Sequence, residues 1–279
     1  DHVEYAGLVP RMEVLAELVG ENDLLLVESR AVSDLHVLAV PLNFIYARPT
    51  LLFDRGTPDK ALLLDFLEWA RTRYDRVLFL GGGGMDLLTR RTAVSMVAAN
   101  RFEVPEYERS LNAYPTEVRF KVFDYGLYVL SPATGDALGV NLDVGFEDGL
   151  LVQRFHPSER TPNDVTYRWS RDRSVISVLT TVPPGAEVVL HLADGGRPAT
   201  AGPASVSISL NDVALGNATV SGGFLPYRFA IPEGLADTIN RSIDPGRLEI
   251  ESTTWIPQQQ SGGPDTRELG VMVDRIQIQ

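Results

Sequence analysis

The second half of the sequence constrains the fold most, because strand patterning runs through it almost without interruption by helical patterning. From residue 131 onward Gly and Pro recur about every ten residues, and the runs between them alternate apolar and polar side chains. A period of two is typical of strands with one buried and one solvated face. Short strands separated by such turns predict a jelly-roll-like antiparallel β-sandwich.

The last two runs of this pattern close the predicted sheet. Apolar and polar side chains alternate in residues 248–253 and 271–276, and a loop rich in Gly, Pro and Gln joins them. We expect the final strand to pair with an earlier one near Tyr167. Residues 211–212 predict a tight hairpin turn, and residues 235–242 a helical turn. The predicted strands are 166–170, 174–182, 187–192, 204–210, 213–220, 227–231, 247–254 and 271–278.

The first half has a different pattern, in which buried strands alternate with helices. Residues 24–28 and 76–80 are short, continuous apolar runs, as in strands that are covered on both faces. Between them Thr57 predicts a helix cap, Pro58 the first helical position, and Leu62, Leu63, Phe66, Leu67 and Ala70 the apolar face. Strand, helix and strand with short connections predict a parallel sheet. Other predicted elements are a helix at 12–19, strands at 94–99 and 118–130, and an irregular segment at 102–115.

The two patterns predict two domains in a chain of 279 residues. Residues 1–135 are assigned to an incomplete Rossmann-like α/β domain and residues 145–279 to the β-sandwich, with the boundary between 131 and 150. The chain opens without an initiator methionine or a signal-peptide pattern, so we expect a fragment of a longer protein.

Composition excludes several classes of partner and site. The net charge of −12 provides no positive field for a phosphate backbone, so nucleic acid is not expected to bind. The absence of cysteine excludes disulfides and thiolate metal sites. The longest apolar stretch, residues 36–47, contains Pro41 and Asn43 and is too short to span a bilayer, so we expect a soluble piece.

A glycine-rich turn follows the second buried strand. A turn of this kind before a helix can bind phosphate through backbone amides, and its members here are Gly81, Gly82, Gly83 and Gly84. The turn lacks the lysine and hydroxyl residue of a P-loop, so a purely structural turn is the favoured interpretation.

No metal, cofactor or catalytic residue is assigned from the sequence. Asp143, Glu147 and Asp148 lie in one loop and could hold calcium, although a solvated acidic loop is favoured. The four histidines are scattered without metal-ligand spacing, and no G-x-S-x-G motif is present.

Aromatic and charged residues near the predicted closing strands form the candidate site. Sugars stack on aromatic faces and are fixed by charged side chains, so a carbohydrate site is one interpretation. Its candidate residues are Tyr167, Arg168, Trp169, Trp255, Asp265 and Arg267. The other interpretation, which is favoured, is structural. Trp169 would pack in the core, and Asp265 would form a clamp with Arg267 or with Arg168.

Three stretches of this sequence resemble the extracytoplasmic C-terminal region of bacterial multi-pass membrane glycosyltransferases. They are residues 167–170 (YRWS), 254–257 (TWIP) and 265–276 (DTRELGVMVDRI). Residues 4–10, 41–45 and 76–81 are similar to the segment after the last membrane helix of such proteins. That class is similar to the protein mannosyltransferases, which use polyprenyl-phosphate sugars. Its catalytic acidic residues lie between membrane helices, so none is carried over to this sequence.

The resemblance implies a non-catalytic accessory region, held outside the membrane by parent segments, that binds or positions a glycan, an acceptor or a lipid-linked sugar donor. Two alternatives remain open. One is a freestanding glycan-active or nucleotide-sugar-using enzyme with its phosphate site at the glycine-rich turn, and the other is a purely structural module.

The purified chain is expected to turn over neither a polyprenyl-phosphate sugar nor a nitrophenyl glycoside, because its sequence shows no nucleophile, metal or acid/base set. Product release can be followed by chromatography and absorbance. Turnover that a single point substitution in this chain abolishes would contradict the expectation.

Overall fold

The structure is a computed structural model. It describes residues 2–29, 34–53, 59–82, 89–109, 119–133, 139–146 and 148–279. Contacts divide the chain into two compact units, Asp1–Leu87 with Ala93–Pro132, and Leu88–Thr92 with Ala133–Gln279. Within the described ranges, no helix has the length and apolar character needed to cross a membrane.

A six-stranded mixed sheet forms the first unit. Its spatial order is β1 (His2–Tyr5), β5 (Thr92–Arg109), β6 (Arg119–Pro132), β4 (Val77–Gly81), β2 (Leu24–Glu28) and β3 (Thr50–Phe53). The parallel prediction holds only for β2, β3 and β4; β4 pairs antiparallel with β6, and β1 antiparallel with β5. The Rossmann-like pattern therefore covers three strands, and the predicted irregular segment continues β5 as far as Arg109. Residues 110–115 of that prediction lie outside the described ranges.

The connections between the strands of this sheet contain the helices α1 (Leu8–Leu18), α2 (His36–Phe44) and α3 (Lys60–Arg71). The cap of α3 is Asp59, whose carboxylate accepts hydrogen bonds from the amides of Ala61 and Leu62. The predicted cap Thr57 and the predicted first helical position Pro58 lie outside the described residues, and the described helix begins at Lys60 after Asp59. An aspartate carboxylate closer to the helix accepts these orphan amides. The predicted apolar face is partly wrong, because Leu62 is 67% exposed.

The second unit contains a ten-stranded sheet with antiparallel pairing. The main path runs through β13 (Val213–Val220), β12 (Ala204–Leu210), β15 (Gly246–Ser252), β10 (Thr166–Val178), β16 (Met272–Ile278), β11 (Glu187–Ala193) and β14 (Leu225–Ala230). Strand β7 (Val140–Asp143) pairs with β16, and strands β8 (Val152–Phe155) and β9 (Glu159–Arg160) pair with β10. Two helices, α4 (Leu235–Arg241) and α5 (Pro257–Ser261), lie in its connections.

Strand β10 changes partner along its length. Its first part pairs with β16 and its last part with β15, although the sequence predicted two separate strands here. Two fully buried serines serve the backbone at the change. Ser170 Oγ lies 2.9 Å from the amide nitrogen of Val271, and Ser174 Oγ donates to the carbonyl of Arg154 at 2.8 Å. The pairing of β10 with β8 shifts register between Ser170 and Val175, an irregularity that we call the bend, and polar groups there have partners inside the protein.

One hydrophobic core receives side chains from every strand of the main path of the ten-stranded sheet. Its fully buried members include Ile176, Leu190, Leu210, Leu248 and Ile276. The two end strands of the path approach each other, since a Cβ on Gly216 of β13 would lie 3.2 Å from the ring of Phe229 in β14. The sheet therefore folds back on itself around this core.

Local turn chemistry in this unit agrees with the sequence. Asn211 and Asp212 have φ angles of 49° and 63°, as a two-residue hairpin between β12 and β13 requires. Those two strands have their predicted bounds, and α4 differs from its prediction by one residue at its end. Helix α5 lies in the closing loop, where the sequence predicted no helix.

A fragment of residues 139–279 is expected to melt cooperatively at a higher temperature than one of residues 145–279. The shorter fragment lacks β7, which pairs with β16, and the fully buried Val144. We expect it to lose roughly 3 kcal/mol of unfolding free energy, which corresponds to roughly 10 °C in Tm. Circular dichroism of the two fragments measures this difference, and equal melting temperatures would contradict the assigned role of β7.

Candidate functional site

Three loops gather at one end of the ten-stranded sheet, which we call the loop end. Residues 194–203 join β11 to β12, residues 221–224 join β13 to β14, and residues 253–271 join β15 to β16. The strand registers place the ends of β13 and β15 beside the start of β12, and the end of β11 beside the starts of β14 and β16. The three connections therefore lie at the same end of the sheet. Five of the six candidate residues lie in or beside these loops. The sixth, Arg168, forms an ion pair with Asp148.

An aromatic cluster lies beneath the loop end. Its buried members are Tyr167, Trp169 and Leu269, with Phe224, Trp255 and Met272 packed against them. Tyr167 and Trp169 are only 8% and 6% exposed, so they have little ring surface left for stacking on a ligand. Trp255 is half-buried, and in the described part of the chain its indole nitrogen is buried without a hydrogen-bond partner.

Arg168 belongs to an ion pair away from the aromatic rings. Its Nε and Nη2 atoms lie 2.8 and 2.7 Å from the two carboxylate oxygens of Asp148, and Nη1 donates to the carbonyl of His156. Asp148 is 1% exposed and also accepts from the amide of Gly145. The Asp265–Arg168 clamp that the sequence left open therefore does not form, because a buried carboxylate on another loop holds this guanidinium.

Asp265 and Arg267 form a clamp that reaches β9. Two guanidinium nitrogens of Arg267 lie 3.0 and 2.7 Å from Asp265 oxygens, and Nη1 lies 2.6 Å from Glu159. Tyr167 donates its hydroxyl to the same Glu159 at 3.0 Å. Burial and the neighbouring Glu159 raise the pKa of Tyr167 to about 12, while the hydrogen bond from Arg267 lowers the pKa of Asp265. These charges are paired within the protein, so the network fixes the closing loop.

The glycine-rich turn has a poor environment for phosphate. Gly81 ends β4, Gly82 follows it, and Gly83 and Gly84 lie outside the described residues. The amide of Gly82 donates to a carboxylate oxygen of Glu28 at 2.8 Å. That carboxylate is buried and occupies an amide that a phosphate would need, and its charge would repel the phosphate.

The acidic loop does not gather a cation site in the residues that the structure describes. Asp143 accepts from the hydroxyl of Thr166 at 2.6 Å, Asp148 holds Arg168, and Glu147 lies outside the described residues. No group of three or more potential metal-ligating side chains is present in the described ranges.

An open pocket lies at the loop end, where the sequence predicted no site. Its volume is about 370 Å³. Residues 194, 197–199 and 202–204 form one wall and residues 219–221 the other. The polar and prolyl side chains that line it are Asp194, Arg197, Pro198, Pro203, Thr219 and Ser221.

Arg197 joins one wall of the pocket to the end of β15. Its guanidinium donates to the carbonyls of Ala201 and Gly202 at 2.8 and 2.9 Å, and to those of Thr253 and Thr254 at 2.8 and 3.3 Å. All four acceptors are neutral backbone oxygens. Burial lowers the pKa of this guanidinium.

Asp194 joins the two walls to each other. Its carboxylate accepts from the amide of Gly196 at 2.9 Å and from the amide of Gly222 at 2.7 Å. The neighbouring Gly195 has a φ of 65°, and a Cβ there would lie 1.9 Å from the ring of Trp169. Only glycine permits this approach, so the buried Trp169 supports the loop that carries both pocket charges.

No protein-family model matches the chain, and no curated protein matches it. Among solved structures, the acetyl xylan esterase Est2A from the rumen bacterium Butyrivibrio proteoclasticus has 5% identity and a TM-score of 0.29, over 51% of this chain and 34% of that one. The M60 catalytic domain with CBM51-1 and CBM51-2 of Clostridium perfringens ZmpB has 8% identity and a TM-score of 0.25, over 66% and 19%. The CBM51-2 and INT domains of the same protein have 3% identity and a TM-score of 0.23, over 67% and 40%. The match spans less than two thirds of each of these chains, and at such TM-scores it defines neither the fold nor the function of this one.

The pocket is suited to binding a polar ligand. It combines a guanidinium, a carboxylate and the exposed hydroxyl residues Thr219 and Ser221 with the apolar rings of two prolines. The sequence offered a weak signal for it, a Gly-Gly-Arg-Pro segment at residues 195–198 between two predicted strands.

Arg267→Ala and Asp265→Ala are each expected to lower the unfolding free energy by about 1 kcal/mol, because the two side chains are 35% and 28% exposed. The two losses should be non-additive in the double variant, since each removes the same pair. Urea denaturation of the four proteins measures the coupling. Parent-like stability together with a loss of glycan affinity would instead assign these residues to a binding site.

Proposed function

We propose that the second unit is a non-catalytic carbohydrate-binding module with a jelly-roll-like β-sandwich fold, which binds a glycan at the open pocket of the loop end. The observation that carries this proposal is the pocket itself, whose volume of about 370 Å³ is lined by charged, hydroxyl and prolyl side chains. Pockets of roughly 300–1,000 Å³ with a few convergent polar groups are typical small-ligand sites.

The polar groups of the pocket match the chemistry of a sugar ring. Sugar hydroxyls both donate and accept hydrogen bonds, so they need acceptors such as Asp194 and donors such as Arg197 in the same site. Thr219 and Ser221 supply hydroxyls that do either. The rings of Pro198 and Pro203 provide apolar surface for the C–H side of a sugar.

The binding role is preferred over a purely structural role for this end of the molecule, although one observation favours the latter. Tyr167 and Trp169 are buried, and the clamp of Asp265, Arg267 and Glu159 is closed within the protein. These residues account for the stability of the loop end. They do not account for the open pocket above them.

We further propose that the chain serves as the accessory part of a bacterial membrane glycosyltransferase, outside the membrane, where it positions a glycan, an acceptor or a lipid-linked donor. The support is the resemblance of residues 167–170, 254–257 and 265–276 to such proteins. The length and hydropathy of the complete coding sequence test this proposal. About ten apolar spans upstream are expected, and a coding sequence without them would exclude it.

A glycan array is expected to show binding by the intact chain that depends on the pocket. Thr219→Ala and Ser221→Ala should each weaken binding roughly 5- to 10-fold, as the loss of one hydrogen bond does, with little effect on Tm because both residues are exposed. Ser207→Ala is the matched control, since this exposed serine of β12 lies outside the pocket lining.

Binding that the pocket substitutions leave unchanged would move the site elsewhere. The absence of binding to any glycan on the array would favour the structural role.

A further inference from the structure

We propose that the glycan bound in this pocket is acidic, and that Arg197 binds the carboxylate of a hexuronic acid residue. This inference rests on the proposed glycan-binding function and specifies its ligand. It starts from the charge balance of Arg197 and from the hydrogen-bonding capacity that its guanidinium retains.

Arg197 is a partly buried cation without a carboxylate partner in the described part of the chain. Its four hydrogen bonds end on the carbonyls of Ala201, Gly202, Thr253 and Thr254. Carbonyl dipoles satisfy the donors but supply no negative charge. Arg168 and Arg267 of the same unit do have such a charge, from Asp148 and Asp265. An anionic ligand in the pocket would supply the negative charge that the protein does not.

The guanidinium of Arg197 also retains a donor. A guanidinium has five N–H groups, and four of them are engaged here. The remaining N–H group belongs to Nη1, in a side chain that lines the pocket. One charge-assisted hydrogen bond to a ligand carboxylate is therefore available.

Asp194 does not neutralise Arg197. Each oxygen of its carboxylate accepts a backbone amide, from Gly196 and from Gly222, and no ion pair links it to Arg197 within the described residues. Asp194 and Arg197 thus bind different neighbouring loops, Asp194 the one at Gly222 and Arg197 the one at Thr253. A sugar that carries its carboxylate toward Arg197 can present hydroxyls toward Asp194, Thr219 and Ser221.

A hexuronic acid fits this pattern better than a phosphorylated or sulfated sugar. A singly charged, planar carboxylate needs few donors, and this pocket offers one free guanidinium N–H. Phosphate and sulfate groups have more acceptor oxygens, which proteins meet with several donors or with a cluster of arginines.

The test uses trisaccharides of glucuronate, galacturonate and mannuronate, each as the free acid and as the methyl ester. Isothermal titration with the intact chain should show at least one free acid that binds roughly tenfold or more tightly than its ester, the range of one charge-assisted hydrogen bond. The preference should decline between low and high salt, because ionic strength screens charge pairs. These measurements require no substitution.

Variants assign the preference to Arg197. Arg197→Gln should bring the acid and its ester to equal affinity, whereas Arg197→Lys should keep part of the preference because it keeps the charge. Arg228→Gln is the control, since this exposed arginine of β14 pairs with Glu187 away from the pocket lining. It should bind like the parent.

The outcomes separate the inference from the proposed function. Pocket-dependent binding of neutral glycans or esters with no preference for the free acid would overturn the acidic ligand and leave the carbohydrate module intact. An acid preference that Arg197→Gln leaves unchanged would also overturn the role of Arg197. Failure to bind any glycan would refute the proposed function itself.

Discussion

The second unit depends on the backbone hydrogen bonding of one strand, β10, which pairs first with β16 and then with β15. A strand that leaves one partner for another exposes amides and carbonyls at the change, and in a core these groups destabilise the fold unless they are bonded. Ser174 accepts from the amide of Arg171 in β10 and donates to the carbonyl of Arg154 in β8, and Ser170 accepts from the amide of Val271. Both serines are fully buried. Because β10 also pairs with β8 and β9, the bend that these hydroxyls permit sets the arrangement of five strands.

The bend also explains why the pocket lies where it does. It directs the start of β10, with Trp169, under the loop that follows β11. Gly195 lets that loop descend onto the indole ring, and the adjacent residues Asp194 and Arg197 then tie it to the other two loops. The large aromatic side chain thus acts beneath the site as a support. The pocket surface consists of smaller polar and prolyl side chains.

Sequence reasoning succeeded where a local rule decides the structure. The Asn211–Asp212 turn fixes its hairpin by φ angles. Alternation located the strands of the main path, although it divided β10 in two and did not predict β7, β8 or β9. Sequence reasoning failed where distant partners decide. Nothing local shows that β4 pairs antiparallel with β6. For Trp169 the sequence favoured core packing and left ligand contact open, and the ring is buried. Arg197 was missed because two of its carbonyl partners lie 56 and 57 residues away, and carbonyls leave no side-chain signal.

The arginines of the loop end illustrate how charge balance separates structural residues from binding residues. Arg267 meets two carboxylates, and removal of either partner would leave a charge that the fold must then accommodate. Such a closed pair has no remaining preference for an external anion. Arg197 meets only carbonyl dipoles, which hold its geometry while its charge stays uncompensated. A guanidinium fixed in position, deficient in negative charge and placed in a pocket wall loses little side-chain entropy when an anion arrives. Preorganisation of this kind favours binding, because the protein ordered the side chain when it folded.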